Sequence, residues 1–338
     1  GLESRAGNRE PVYSQYAPGC FVNAVGLTNP GARVAAELMA DLKVPEDRFL
    51  LTSIFGGSVE EFVEVAKIMA PVSDGLELNL SCPHATGYGM AMGQDPKLVS
   101  EIVAAVKAVV SIPVVPKLTP NTQNIAEIAL AAVEGGADAI CAINTLGPGY
   151  TSAHGHPVLS NGAGGMSGKA VLPIALKCIR EIREVCDLPI IGCGGISSAA
   201  DVRETMDAGA DVVGVGSALT GMTTAEMADY FNQLESDICF ASNKAENHIR
   251  YDIDMNFEPV VLLKNERICN DICVLTFDRK INIQAGEFVF LWVPGVGEKP
   301  FSALSDDPFQ LAVIDVGIFT HALMDLEVGT EVYVQEHH

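Results

Sequence analysis

The chain has 338 residues, 48% of them hydrophobic, with 21 basic against 43 acidic side chains and a net charge of −22. This is the composition of a globular protein of two domains, or of one large α/β domain with an appendage, and it excludes a disordered chain. Because the acid excess runs through both halves, no basic patch remains for a nucleic acid or an anionic membrane.

Nine cysteines lie scattered without a CxxC pair, which is neither a disulfide framework nor a zinc or iron–sulfur ligand set, so no metal site is expected. The first residues carry no apolar signal region, and no run reaches the ~18 apolar residues of a membrane span. The chain therefore reads as cytoplasmic.

Six short apolar runs predict buried strands at residues 49–55, 76–81, 113–118, 139–145, 189–195 and 212–219. Parallel strands covered on both faces read in this way, without polar alternation. Helix punctuation falls between them: Ser58 with Glu61 predicts one capping box, and Ser198 with Asp201 another, ahead of a helix ending near Gly209. The tripeptide Gly-Ala-Asp recurs at 136–138 and 209–211, each time between a helix and a strand. Successive βα units leave two architectures, a (β/α)8 barrel or a doubly wound sheet. Asn79, Cys82, Lys117, Asn144, Gly194, Gly195 and Gly216 all fall at or just past the carboxyl ends of their strands, as residues of a barrel mouth do. Residues 1–240 are thus expected to form an α/β domain of TIM-barrel type, with about six βα units visible. A polar linker follows at 241–254. From 255 to 336 the period changes to strand-like runs separated by turn residues, which predicts a small antiparallel β-barrel.

The densest chemical signal is Glu77-Leu-Asn-Leu-Ser-Cys-Pro-His84 with the glycine-rich stretch after it. Cys82 is delivered to a loop there, and a thiol of pKa about 8.5 serves as a general base where its pocket favours the thiolate. Cys141, Cys178 and Cys186 read as buried small hydrophobes. Asn23, Asn79 and Asn144 supply paired amide donors and acceptors suited to a flat, uncharged ring with alternating N–H and C=O groups. Lys117 ends an apolar strand, where a solvated lysine is out of place, and a cation there can face the negative end of a reduced flavin. Glycine clusters at 164–168, 194–195 and 216–217 in successive βα loops suit a phosphate cradle. His154 and His156 read as plain loop histidines.

With NLSCPH, VPKLTPN, INT, GGMSG, IIGCGGI and VGSAL in this order, residues 7–220 closely resemble the class 1 dihydroorotate dehydrogenases. The resemblance implies an FMN-containing (β/α)8 barrel that oxidises dihydroorotate to orotate in pyrimidine synthesis, with Cys82 taking the C5 proton and hydride passing from C6 to the flavin. It places Asn23, Gly26, Leu27, Asn79, His84, Asn144 and Thr145 against the pyrimidine. It places Lys117, Ile143, Ser167, Gly168, Gly194, Gly195, Gly216 and Ser217 against FMN. A homo-oligomer is expected.

The tail is similar to the ferredoxin-reductase-like flavoprotein subunit of the NAD-linked branch, which implies FAD contacts at Lys299, Phe301 and Ser302 and, near the pyrophosphate, at Gly317 and Thr320. Lys299 keeps the charge of the arginine usual there and loses its bidentate geometry. Two N-terminal strands with a flavin loop, and the NAD and [2Fe-2S] segments beyond the tail, are not seen, so the chain reads as part of a longer fused enzyme with both parts truncated. His84 stands where many members have Asn, and SCPH followed by GQDP also occurs in dihydropyrimidine dehydrogenases. Three readings stand: dihydroorotate oxidation with electrons passed through FAD, oxidation of dihydrouracil or dihydrothymine, and an inactive flavin-binding fragment.

Overall fold

A computed structural model describes residues 1–80, 92–239, 257–283 and 288–336. The chain divides into two compact units: residues 1–7, 15–149 and 164–253 form the first, and residues 8–14, 150–163 and 254–338 the second.

The first unit is built on six parallel strands, β1 (Leu51–Ile54), β2 (Gly75–Asn79), β3 (Val114–Leu118), β4 (Ile140–Ala142), β5 (Ile190–Cys193) and β6 (Val212–Gly214). Each lies beside its neighbour in sequence, so the order across the sheet runs without reversal. A doubly wound sheet reverses its order at a switch point. This sheet does not; it curls, as the sheet of a TIM barrel does.

Side chains alternate across the curled sheet. Helix α1 (Ala32–Ala40) precedes β1, and Leu76, Leu78, Val114, Leu118, Ile140, Ala142 and Ile190 are buried on the outer face against helices α2 (Val59–Met69), α3 (Pro96–Lys107), α4 (Ile125–Glu134) and α5 (Leu172–Arg183). In α3 the buried residues are Val99, Ile102, Val103 and Val106, the single stripe a 3.6-residue period produces. Each such side chain contributes about 1.5–3 kcal/mol by leaving water. Asp95 starts this helix by accepting from the N–H groups of Lys97 and Leu98.

Both anticipated capping residues act as helix starts. Ser58 accepts from Glu61 N–H, while the Glu61 carboxylate reaches past Ser58 to Gly57 N–H at 2.8 Å. Ser198 and Asp201 form the complete reciprocal box ahead of α6 (Ala199–Asp207).

The amino ends of the strands are fastened by aspartates. Asp74 Oδ2 accepts from Leu50 N–H at 2.7 Å, Asp138 Oδ2 from Val114 N–H at 2.7 Å, and Asp211 Oδ2 from Ile190 N–H at 2.8 Å. The last two belong to the repeated Gly-Ala-Asp and also hold a cation from the last turn of a helix one earlier in the chain, Lys107 of α3 at 2.8 Å and Arg183 of α5 at 2.6 Å.

The glycine cluster expected in a loop is a strand. Gly164–Gly168 pairs antiparallel with Cys20–Asn23, Gly165 opposite Asn23 and Gly168 opposite Cys20. Glycine has little strand preference of its own, so the pairing partner imposes this conformation.

In the second unit seven strands form one antiparallel sheet, in the order Gly297–Phe301, Val289–Val293, Glu331–Glu336, Glu258–Cys269, Ile272–Phe277, Phe309–Ile314 and Ala303–Asp306. Among the described residues it forms an antiparallel half-barrel. Val260, Leu262, Leu275, Phe277, Leu291, Leu311 and Val332 fill its core together with Phe319 and Leu323 of a short helix, Ile318–Met324. The loop histidines are part of this unit. His154 donates from Nε2 to Phe257 O at 2.6 Å and stacks on Tyr333 at 4.8 Å, beside a cluster of Val158, Phe257, Trp292 and Tyr333.

Candidate active site

The inner face of the curled sheet follows from its register. Asn79 pairs with Lys117, Lys117 with Cys141, and Cys141 with Ile191, so Glu77, Asn79, Lys117, Cys141, Ile191 and Cys193 all point inward. They line or adjoin a cavity of about 370 Å³, whose wall includes Ile143, Asn144, Thr145, Ser167, Gly194, Gly195, Gly216 and Ser217. A ligand at the carboxyl ends of the strands of a curled parallel sheet is where this architecture places its chemistry.

Lys117 has an ionic partner on the adjacent strand. Its Nζ lies 3.4 Å from Glu77 Oε2. Burial alone would lower the lysine pKa, but the negative fields of Cys141, Glu77 and Cys193 outweigh it and hold the ammonium above the ordinary lysine range. The two sulfurs of Cys141 and Cys193 are 3.7 Å apart.

The amides converge in part. Asn144 Nδ2 donates to Asn79 Oδ1 at 3.1 Å, and Asn144 Oδ1 accepts from Thr145 N–H at 2.8 Å. Asn121 fixes the same loop, donating to Thr145 O at 3.0 Å and accepting from Gly147 N–H at 2.8 Å. Asn23 sits in the antiparallel layer, donating to Gly165 O at 3.4 Å, and is outside the cavity wall. Gly26 and Leu27 follow it with positive φ of 82° and 61°, and they too are not part of that wall. Cys82 and His84 lie outside the described residues.

Beside the cavity, Gly168, Gly195 and Ser217 meet around a smaller space with Gly19, Lys169 and Ser197. Gly168 and Gly195 have φ of +84° and +78°. A Cβ on Gly168 would stand 2.1 Å from Gly19 O, and one on Gly195 2.7 Å from Gly168 O. Only glycine lets these loops approach so closely. Asp201 ties two of the loops together. It pairs with Lys169 and accepts from Ser197 N–H at 3.0 Å, Ser197 Oγ at 2.9 Å and Ser198 N–H at 3.1 Å. Burial would raise its pKa, but the bonds from Lys169 and Ser197 reverse this and hold the carboxyl below its ordinary value.

In the second unit Lys299 and Ser302 are exposed, and Phe301 packs 6.2 Å from Phe319. Thr320 Oγ1 accepts from Val316 N–H at 2.9 Å and Gly317 N–H at 3.0 Å at the start of the short helix. This unit has a cavity of about 500 Å³ lined by Arg9, His156, Asn161 and Trp292, among others, and none of the five residues expected at FAD lines it.

Sequence reasoning missed Glu77, Asn121 and the pairing of Cys141 with Cys193. For Glu77, Cys141 and Cys193 the signal is register: Glu77 stands two residues from Asn79, Cys141 opposite Lys117, and Cys193 two residues from Ile191, so all three fall on the inner face.

Fold and cavity together define a βα protein whose curled parallel sheet carries a polar cavity at the carboxyl ends of its strands. The family model described as Dihydroorotate dehydrogenase matches residues 1–236. A curated relative from Methanocella arvoryzae, named dihydroorotate dehydrogenase B (NAD(+)), catalytic subunit, is 48% identical over 223 residues, covering 65% of this chain and 72% of that protein. Proteins of the same name from Methanosarcina acetivorans and Pyrococcus horikoshii are 44% and 45% identical over 243 and 220 residues, covering 71% and 65% of this chain and 76% and 72% of theirs. The chain belongs to the dihydroorotate dehydrogenase family.

Proposed function

We propose that the chain is a flavin-dependent enzyme that oxidises dihydroorotate to orotate in pyrimidine synthesis. The observation that carries this reading is the convergence on one cavity of the Lys117–Glu77 pair, the Asn79–Asn144 amides and the glycine-lined cradle, in a member of this family.

The residues present fit FMN, since the cavity of about 370 Å³ runs from the Lys117–Glu77 pair to the loop residues Gly194, Gly195, Gly216 and Ser217. Ile143, Ser167, Gly194 and Gly216 would flank the ring and ribityl chain, Gly168, Gly195 and Ser217 the phosphate, and Lys117 the side of the ring where negative charge collects. Bound flavin supplies the acceptor for the hydride that leaves C6. Cys82 as thiolate removes the C5 proton, and the C5–H electron pair becomes the new C5=C6 bond. Asn79, Asn144 and Thr145, with Asn23, Gly26, Leu27 and His84, hold the pyrimidine amides.

The relatives named above are catalytic subunits of an NAD⁺-linked enzyme. In our reading residues 1–240 hold FMN, 241–254 link, and 255–336 supply a fused electron-transfer module, with Lys299, Phe301, Ser302, Gly317 and Thr320 toward FAD. The reading places the enzyme in the cytoplasm, in keeping with nine cysteines that form no disulfide framework.

Anaerobic mixing tests the assignment. Dihydroorotate is expected to bleach the visible flavin absorption of the FMN-loaded protein, and dihydrouracil and dihydrothymine to leave it unchanged. Cys82→Ala is expected to retain the flavin and slow the bleaching by ~10²–10⁴-fold, the worth of a positioned general base. Bleaching by dihydrouracil alone would overturn the substrate.

A further inference from the structure

Two thiols that the proposed reaction does not use face the same cavity. Cys141 and Cys193 both line it, with sulfurs 3.7 Å apart. Register explains their approach. Cys141 pairs with Ile191 on the adjacent parallel strand, so Cys193, two residues on, is its diagonal neighbour on the same face. Diagonal neighbours in adjacent strands stand about 8 Å apart at Cα, from ~4.8 Å across the sheet and ~6.6 Å along it. A disulfide requires less than about 7 Å. The two side chains therefore lean toward each other from positions too wide for a direct S–S bond and suited to one larger atom between the sulfurs. Gly214 keeps that space open, because a Cβ there would stand 2.5 Å from Cys193 Sγ.

We propose that Cys141 and Cys193 form a dithiol capture site for a trivalent organic arsenical, and that an occupied site excludes the flavin from the cavity. The second clause rests on the function proposed above, and the first does not. The pair is primed by its surroundings. The bond from Cys141, aided by the Lys117 ammonium, outweighs burial and holds the Cys193 thiol below its ordinary pKa, while that bond and burial push Cys141 well up. One sulfur is thus the nucleophile and the other the proton donor.

In water the arsenical is the dihydroxide RAs(OH)2. The Cys193 thiolate attacks arsenic and displaces one hydroxide, which leaves as water with the Cys141 proton. The second sulfur then displaces the other hydroxide, which leaves as water with a proton from solvent. Two As–O bonds break, two As–S bonds form, and arsenic stays trivalent, so neither oxidant nor reductant is needed.

The test uses the full chain and phenylarsine oxide, followed by a wash with 2-mercaptoethanol and intact-mass measurement. One phenylarsenic group is expected to survive the monothiol wash and to leave with dithiothreitol. Cys141→Ala and Cys193→Ser are each expected to weaken retention by ~10²-fold or more, since the second thiol acts at high effective concentration. Cys82→Ser is expected to retain the group. Full retention in both single variants, or loss confined to Cys82→Ser, overturns the pair as the site. Saturation with FMN is expected to suppress capture, and undiminished capture in protein that demonstrably holds FMN overturns the exclusion. Protein that captures the arsenical yet binds no flavin would sink the proposed function and leave the dithiol site standing.

Discussion

Asn144 donates to Asn79 across the top of a strand that belongs to neither of them. Asn79 ends β2, Asn144 follows β4, and β3, carrying Lys117, lies between. The 3.1 Å bond therefore bridges over the lysine's strand and orients both amides at the cavity. Asn144→Ala removes the donor to Asn79 and one ring-facing amide. Loss of that bond and of the ring-facing amide, together about 1–3 kcal/mol, gives a fall of ~10–100-fold in kcat/KM for dihydroorotate. Flavin content, read by absorbance, is expected to stay at the wild-type level.

The Lys117–Glu77 pair makes a two-way prediction about the flavin potential. Lys117→Met removes the cation and is expected to lower the potential of bound FMN, whereas Glu77→Gln leaves the cation uncompensated and is expected to raise it. An interaction of about 1.4 kcal/mol corresponds to ~30 mV for a two-electron couple. Potentiometric titration reads both, and shifts of the same sign would remove the electrostatic account.

Asp201 never reaches the cavity, yet it organises the cradle through Lys169, Ser197 and Ser198. Asp201→Asn is expected to raise the dissociation constant of FMN about tenfold, a loss near 1.4 kcal/mol. Riboflavin, which lacks the phosphate, is expected to bind the variant as it binds the wild type. A general loss of folding would weaken both ligands alike.

Glu298 in the second unit carries a pH dependence. Burial, joined by Glu10 and opposed by Lys299, raises its pKa from 4.5 to about 7. Above the unfolded value the folded state keeps a proton that the unfolded state has lost, so stability is full below it and falls as pH rises through 7. Trp292, the single tryptophan of the chain, pairs with Glu298 across the strands and reports this unit. Its urea midpoint by fluorescence is expected to drop between roughly pH 5 and pH 8, and Glu298→Gln to flatten that profile.

The six parallel strands were legible because a strand buried on both faces spells itself as a continuous apolar run, and Lys117 and Asn144 because they interrupt such runs at their ends. Glu77 escaped because its partner is on another strand, where only register brings the two together. The strand at Gly164–Gly168 escaped because its conformation is imposed by Cys20–Asn23, and the two edge strands around Lys299 and Ser305 because charge, proline and serine mask any alternation. His154 read as a loop residue since what it touches, Phe257 and Tyr333, lies more than a hundred residues away.

The aspartate clasps at the amino ends of the strands join β1 to β2, β3 to β4 and β5 to β6, the bonded residues standing 24, 24 and 21 positions apart. The first unit is accordingly stitched in twos, each couple of strands carrying its own fastener on the side away from the chemistry. A segment excised at the joints between couples takes its fastener with it. Between the couples the register rests on the ladder pairing alone, Asn79 opposite Lys117 and Ile140 opposite Ile190. The mouth, whose loops spring from the opposite ends of the same strands, is free to diversify while this stitching stays fixed.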